Sequence, residues 1–174
     1  MRSKEINADQ DPLREGMDTP QWLALFERAL CDMSGKLEQV LLLNSCREHW
    51  IQAEISLHAW FKDGIEIWTD LPIGDRRKAD LYAQDGNGLT TMIAEIKCLG
   101  DISQSKCLEG DWSVRADIER LRSFECPTRL FVLVIARGER ETNTGRRLRK
   151  DEWVDGQECA TVDLGFALVR MWTL

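Results

Sequence analysis

"KADLYAQDGNGLTTMIAEIKCL", residues 78 to 99, decides the fold. Two runs of alternating apolar and polar residues flank Asp85-Gly86-Asn87-Gly88, whose residue types suit a tight reversal of the chain. Alternation is the period of a β-strand, so the stretch predicts a hairpin. In its first strand Ala79, Leu81 and Ala83 share one face, leaving Lys78, Asp80 and Tyr82 on the other. In its second strand Met92, Ala94, Ile96 and Cys98 form the apolar face, and Glu95 and Lys97 point the opposite way. Folding the strands together superposes the polar faces and makes Asp80 a neighbour of Glu95 and Lys97. On a solvent-washed sheet such residues mean little. In a pocket they aim two carboxylates and an ammonium at one point.

Upstream, Thr19-Pro20 reads as the N-cap and first position of a helix, with Trp22, Leu23, Leu25, Phe26, Ala29 and Leu30 at helical spacing. Ser34-Gly35 bends or breaks it before "KLEQVLLL" continues. Ser45 to Glu48 has the S-x-x-E form of a capping box, and a helix from about 46 to 62 follows, stopped by Asp63-Gly64. On a helical wheel Trp50, Ile51, Leu57 and Phe61 fall within about 60° of Glu54. An unpaired carboxylate in an apolar stripe is costly. Either the helix is rotated so that Glu54 reaches solvent, or Glu54 faces something cationic. "IEIWT" (65–69) predicts a short strand before the hairpin.

Downstream, "DWSVRADIERLRSF" (111–124) predicts a helix capped by Asp111, with Val114, Ile118 and Leu121 buried. Asp117 and Arg120 flank that stripe and read most simply as a solvated edge. "RLFVLVIA" (129–136) is continuously apolar, as in a strand covered on both faces. Strand, helix, strand implies a right-handed crossover to a parallel neighbour. "ATVDLGFALVRMWTL" (160–174) adds one or two strands. The reading is one α/β domain over residues 18–174, with a mixed central sheet flanked by helices, after a loosely held segment 1–17.

A chain of 174 residues, 43% of them apolar, closes a sizeable core. A net charge of −7 argues against coating nucleic acid by bulk charge, yet leaves a local basic groove open. No apolar run is long enough to span a membrane, and "MRSKEINADQDPLREGMD" lacks the apolar core of a secretion signal, so a cytoplasmic protein is expected. The six cysteines form no CxxC pair and no Cys/His grouping at zinc spacing, so they read as reduced, mostly buried thiols. There is no Gly-rich phosphate loop and no G-x-S-x-G elbow.

The order α-β-β-β-α-β, with Asp80 on the second strand and Glu95-x-Lys97 on the third, resembles the PD-(D/E)XK nuclease superfamily over roughly residues 45 to 136. Ala79 stands where the signature has proline. The resemblance implies a restriction-endonuclease-like core with an N-terminal helical extension and added C-terminal strands. It implies that Asp80 and Glu95 bind a divalent metal, usually Mg²⁺ with Mn²⁺ able to substitute, and that Lys97 positions or helps deprotonate the attacking water. Glu54, on the preceding helix, is placed to complete the metal site. For Asp117 and Arg120 the resemblance offers an alternative to the solvated edge, because members of the superfamily often place a site-facing polar residue on the helix that carries them. The chemistry asks for the same types, because phosphodiester hydrolysis needs an in-line water and charge relief on the phosphate oxygens. A lysine beside a metal is expected to have a lowered pKa.

Arg76, Arg77 and Lys78, and Arg146, Arg147, Arg149 and Lys150, are basic clusters on an acidic protein. They read either as surface charge or as contacts to nucleic acid phosphates, DNA before RNA. His49 and His58 read as structural, hydrogen-bonded histidines. The resemblance admits a homodimer, since two cuts need two sites, and a protein partner that supplies specificity. A second reading keeps the fold without the catalysis: an inactive module that binds nucleic acid or a partner protein.

Overall fold

The hairpin read from residues 78–99 is the middle of a larger sheet. The computed structural model describes residues 16–43, 45–72, 78–99, 114–137 and 159–174. In chain order they form α1 (Thr19–Asp32), α2 (Ser34–Val40), α3 (Arg47–His58), β1 (Trp68–Pro72), β2 (Lys78–Gln84), β3 (Thr90–Leu99), α4 (Val114–Arg122), β4 (Thr128–Ala136), β5 (Cys159–Asp163) and β6 (Ala167–Thr173). The six strands make one mixed sheet in the order β1-β2-β3-β4-β6-β5. Only β3 and β4 run parallel, with Met92 opposite Thr128 through Leu99 opposite Ile135; the other neighbours are antiparallel.

Helices cover both faces, so the protein is a mixed α/β layer structure. On one face α1, α2 and α3 bury Phe26, Leu30, Ile51 and Ile55 against Leu81, Ala94, Ile96 and Val132. On the other, α4 buries Val114, Ile118 and Leu121 against Ile93, Phe131 and Leu133. β4 is sandwiched between the two cores and is buried along almost its whole length, which is why its sequence does not alternate. β3 alternates between the cores: Met92, Ala94 and Ile96 face the α1–α3 layer, while Ile93 and Leu99 face α4. Glu95 and Lys97 fall in the second set. They therefore lie under α4, not in open solvent.

The hairpin closes through Asp85, whose carboxylate accepts the amides of Asn87 and Leu89 at 2.9 Å, with Gly88 at a φ of +78°. Helix α1 begins one residue earlier than expected. Asp18 is its N-cap, in a reciprocal capping box with Gln21 (2.8 Å each way). Thr19 instead meets the Thr128 hydroxyl at 2.8 Å. β1 lies three residues later than "IEIWT" suggested.

Helix α3 departs most from expectation. Cys46, at a φ of +67°, is its N-cap and makes no side-chain cap bond, so the Ser45–Glu48 capping box does not form. Its buried row is Ile51, Gln52 and Ile55, continued by Ala59 in the π-helical turn Ala59–Asp63. Gly64, at a φ of +68°, ends that turn. Leu57 and Phe61, which the wheel placed in the core, are 49% and 75% exposed. The helix is thus rotated about its axis relative to the stripe centred on Glu54.

Candidate active site

β2 and β3 are paired from Gln84↔Thr90 to Leu81↔Ala94. Beyond that point side chains take over from the ladder. Residues two apart on a strand point their amides the same way, so Ile96 and Cys98 both present N–H groups toward the β2 side. The Asp80 carboxylate accepts the Ile96 amide at 2.7 Å, and the Glu48 carboxylate, from α3, accepts the Cys98 amide at 2.9 Å. Carboxylates thereby satisfy buried backbone donors that the ladder leaves open. They are fixed by that duty.

Around them is a chain of alternating charge. Lys97 Nζ lies 3.8 Å from Glu48 Oε1 and 3.1 Å from Asp117 Oδ2. The second oxygen of Asp117 takes Arg120 Nη2 at 2.6 Å, and Arg120 Nη1 reaches Glu95 Oε1 at 2.8 Å. Glu95 in turn stands within hydrogen-bonding reach of Asp80. Four elements, α3, β2, β3 and α4, each supply at least one charged group.

Burial, followed by the charge of Asp80, pushes the Glu95 carboxyl up to about 9 despite its Arg120 partner. Glu95 therefore keeps its proton at neutral pH and can donate it to Asp80. Burial also raises Asp80 and Glu48, against the lowering effect of the amides they accept. For Lys97 burial is the largest single influence and lowers its pKa. The carboxylates of Glu48, Asp117 and Asp80 together outweigh it, and the net shift is upward. The lowered lysine pKa expected beside a metal is not the metal-free state: Lys97 stands here as a held ammonium.

Asp80, Glu95 and Lys97 come together as the hairpin pattern suggested, opposite the apolar face of Leu81, Ala94 and Ile96. Glu54 is not brought to them. Its carboxylate faces Lys36 of α2 at 3.9 Å, and the α3 glutamate that reaches β3 is Glu48. Glu48 continues the buried row of Ile51, Gln52 and Ile55 by one turn, a signal present in the sequence but assigned there to capping. Asp117 and Arg120 are no solvated edge. Asp117 is 4% exposed, and its ion pairs with residues on two elements were not readable from local pattern.

Lys78 is exposed and pairs with Asp70 at 3.5 Å. Arg76, Arg77, Arg146, Arg147, Arg149 and Lys150 lie outside the described residues. His58 places Nδ1 3.3 Å from Asp32, and His49 is exposed. Cys31 and Cys46 are exposed thiols, contrary to the expectation of mostly buried ones, while burial pushes the Cys98 thiol up to about 12. Among the described residues no helix is long and apolar enough to cross a membrane.

The donor set accommodates one hard cation only in part. Among the described residues no group of three His, Cys, Asp or Glu side chains is arranged as a ready metal cage. Two carboxylates near enough to share a proton do form a donor pair, and Mg²⁺ needs only one or two carboxylates because it keeps much of its water. No family model, no curated protein and no solved structure matches this chain. Its function is argued from these residues.

Proposed function

We propose that the protein is a metal-dependent nuclease with a restriction-endonuclease-like core of the PD-(D/E)XK type, hydrolysing phosphodiester bonds in DNA in preference to RNA. The observation that carries this reading is the meeting of Asp80, Glu95 and Lys97 at the end of the β2–β3 ladder, on a buried polar face. Asp80 and Glu95 are the residues to hold Mg²⁺ or Mn²⁺. When bound, the cation supplies charge relief on the phosphate and an activated water. The auxiliary metal ligand sought in Glu54 is not supported there; the helix-borne carboxylate beside the site is Glu48, which accepts the Cys98 amide and faces Lys97. The Lys97 ammonium supplies a fixed positive charge beside the two carboxylates, suited to a phosphate oxygen or to orienting water. Lys78, and the basic clusters outside the described residues, are the candidates for steering the substrate backbone.

The inactive-module reading is favoured by one observation. Lys97 and Arg120 both neutralise carboxylates of the cluster, so the charges satisfy one another without a ligand. A cleavage panel separates the two readings. Single- and double-stranded DNA and RNA are incubated with the protein in Mg²⁺, Mn²⁺ or EDTA. The nuclease reading expects cutting of at least one DNA substrate in Mg²⁺ or Mn²⁺ and none in EDTA. Binding without cutting under every condition supports the module.

A further inference from the structure

Asp117 is the hub of the charge chain, yet it has no part in the nuclease reading above. Each of its oxygens serves a different cation: Oδ2 holds Lys97 from β3 and Oδ1 holds Arg120 from its own helix. It is 4% exposed, on a helix anchored to the sheet through Val114, Ile118 and Leu121. A buried carboxylate is stable only when paired, and here the pairing joins Glu48 in holding Lys97 and Glu95 in holding Arg120, so that both long side chains are fixed from two sides. Glu95 stands within hydrogen-bonding reach of Asp80, while Asp117 acts on Asp80 through its charge.

We propose that Asp117 is the positioning residue of the site. It sets Lys97 and Arg120 as two fixed positive charges beside the Asp80–Glu95 pair, and so forms a two-point seat for the non-bridging oxygens of a phosphodiester. This inference rests on the nuclease reading for its catalytic meaning, while the clamp itself is open to a test that needs no activity. Arg120 contributes a planar donor and Lys97 a point charge, a combination suited to an oxyanion held in one orientation. Asp117 acts through both without touching the reacting atoms.

Two measurements test it. The first is nitrogen-15 NMR of lysine ammonium groups in EDTA. An ammonium held by a buried carboxylate exchanges slowly, and the Lys97 resonance is assigned by its loss in Lys97→Ala. Asp117→Asn should abolish the slow exchange of that resonance, while Glu54→Gln leaves it in place. The second is a kinetic cycle on the cleaved substrate. Asp117→Asn should lower kcat by about 10–100-fold, the usual cost of losing a supporting partner, with KM unchanged. In the Lys97→Ala background the same substitution should have much less effect, because its action through Lys97 is already gone. A purely structural Asp117 would cost the same in both backgrounds. Should Asp117→Asn fail to fold, Asp117→Asn with Arg120→Gln leaves no unpaired buried guanidinium and replaces it in the NMR arm. Slow exchange that survives the loss of Asp117, or full additivity in the cycle, overturns the proposal. A wild type that cuts nothing sinks the nuclease reading instead, and the NMR result still decides the clamp.

Discussion

Glu48 and Glu54 share a helix, a charge and a similar exposure, with side chains 34% and 26% accessible. They differ in what they meet. Glu48 accepts a β3 amide and faces a lysine that is itself mostly buried, whereas Glu54 faces Lys36, whose side chain is 75% exposed, at 3.9 Å. A long contact to an exposed lysine contributes little, because water screens it and both side chains lose freedom to make it. A carboxylate that replaces a ladder bond is held in place by the backbone. Partners, more than burial, separate the glutamate at the site from the one beside it.

Lys97 offers the largest effect by which to break this comparison. Lys97→Ala should lower cleavage by about two to four orders of magnitude, the range of losing a positioned proton-transfer or charge-stabilising group. Cation affinity should persist or rise, since a nearby positive charge is gone. Both are read on one preparation, with circular dichroism to establish folding. Unchanged cleavage would remove Lys97 from the site.

Glu48→Gln comes next. It keeps an acceptor for the Cys98 amide but loses the charge facing Lys97, and cleavage should fall about 10–100-fold. Glu54→Gln is the matched control: cleavage should be unchanged and stability altered by about 0–1 kcal/mol, as for an exposed ion pair. Measuring both by initial rates and thermal melts sharpens the contrast. Equal losses from the two substitutions would erase it.

The raised carboxyl of Glu95 gives the site a pH signature. The unfolded chain releases this proton near 4.5 and the folded protein holds it up to about 9. Between those values the folded state binds more protons, so metal-free stability should fall as pH rises through the window. Denaturant midpoints in EDTA at several pH values measure this slope. Glu95→Gln, neutral throughout, should reduce it, leaving the part owed to the raised Asp80 and Glu48 carboxyls, and a wild-type curve that is already flat would rule out the buried, protonated Glu95.

Much of this arrangement is legible in the sequence because strand geometry is stiff. The period of two fixes which side chains share a face, so Leu81 and Ala83 on β2 and the polar pair on β3 follow from residues 78–99. Ala79, expected beside Leu81 and Ala83, instead packs in the α4-side core at the start of the strand. Likewise Val114, Ile118 and Leu121 mark the buried stripe of α4 through simple helical spacing. Helix rotation is harder to read. The large apolar residues Leu57 and Phe61 outweigh the true row of Ile51, Ile55 and Ala59 on a wheel, and so draw the eye to Glu54. Ser45 and Glu48 match a capping box in form, but a strand amide and an ammonium bind the Glu48 carboxylate instead. Asp117 and Arg120 look like surface charge until the sheet brings Lys97 and Glu95 beneath them. Such long-range pairing has no local signal.

The central claim is that Asp80 and Glu95 form a seat for one divalent cation, and Mn²⁺ calorimetry tests it most directly. Titrations at neutral pH, in buffers of different ionisation enthalpy, give affinity and proton release together. Because Glu95 keeps its proton in the metal-free protein, binding should expel about one proton per cation. Asp80→Asn should weaken or abolish the binding, while Glu54→Gln leaves it intact. The account is contradicted if wild type shows no Mn²⁺ binding, or if Asp80→Asn binds as tightly as wild type with the same proton release.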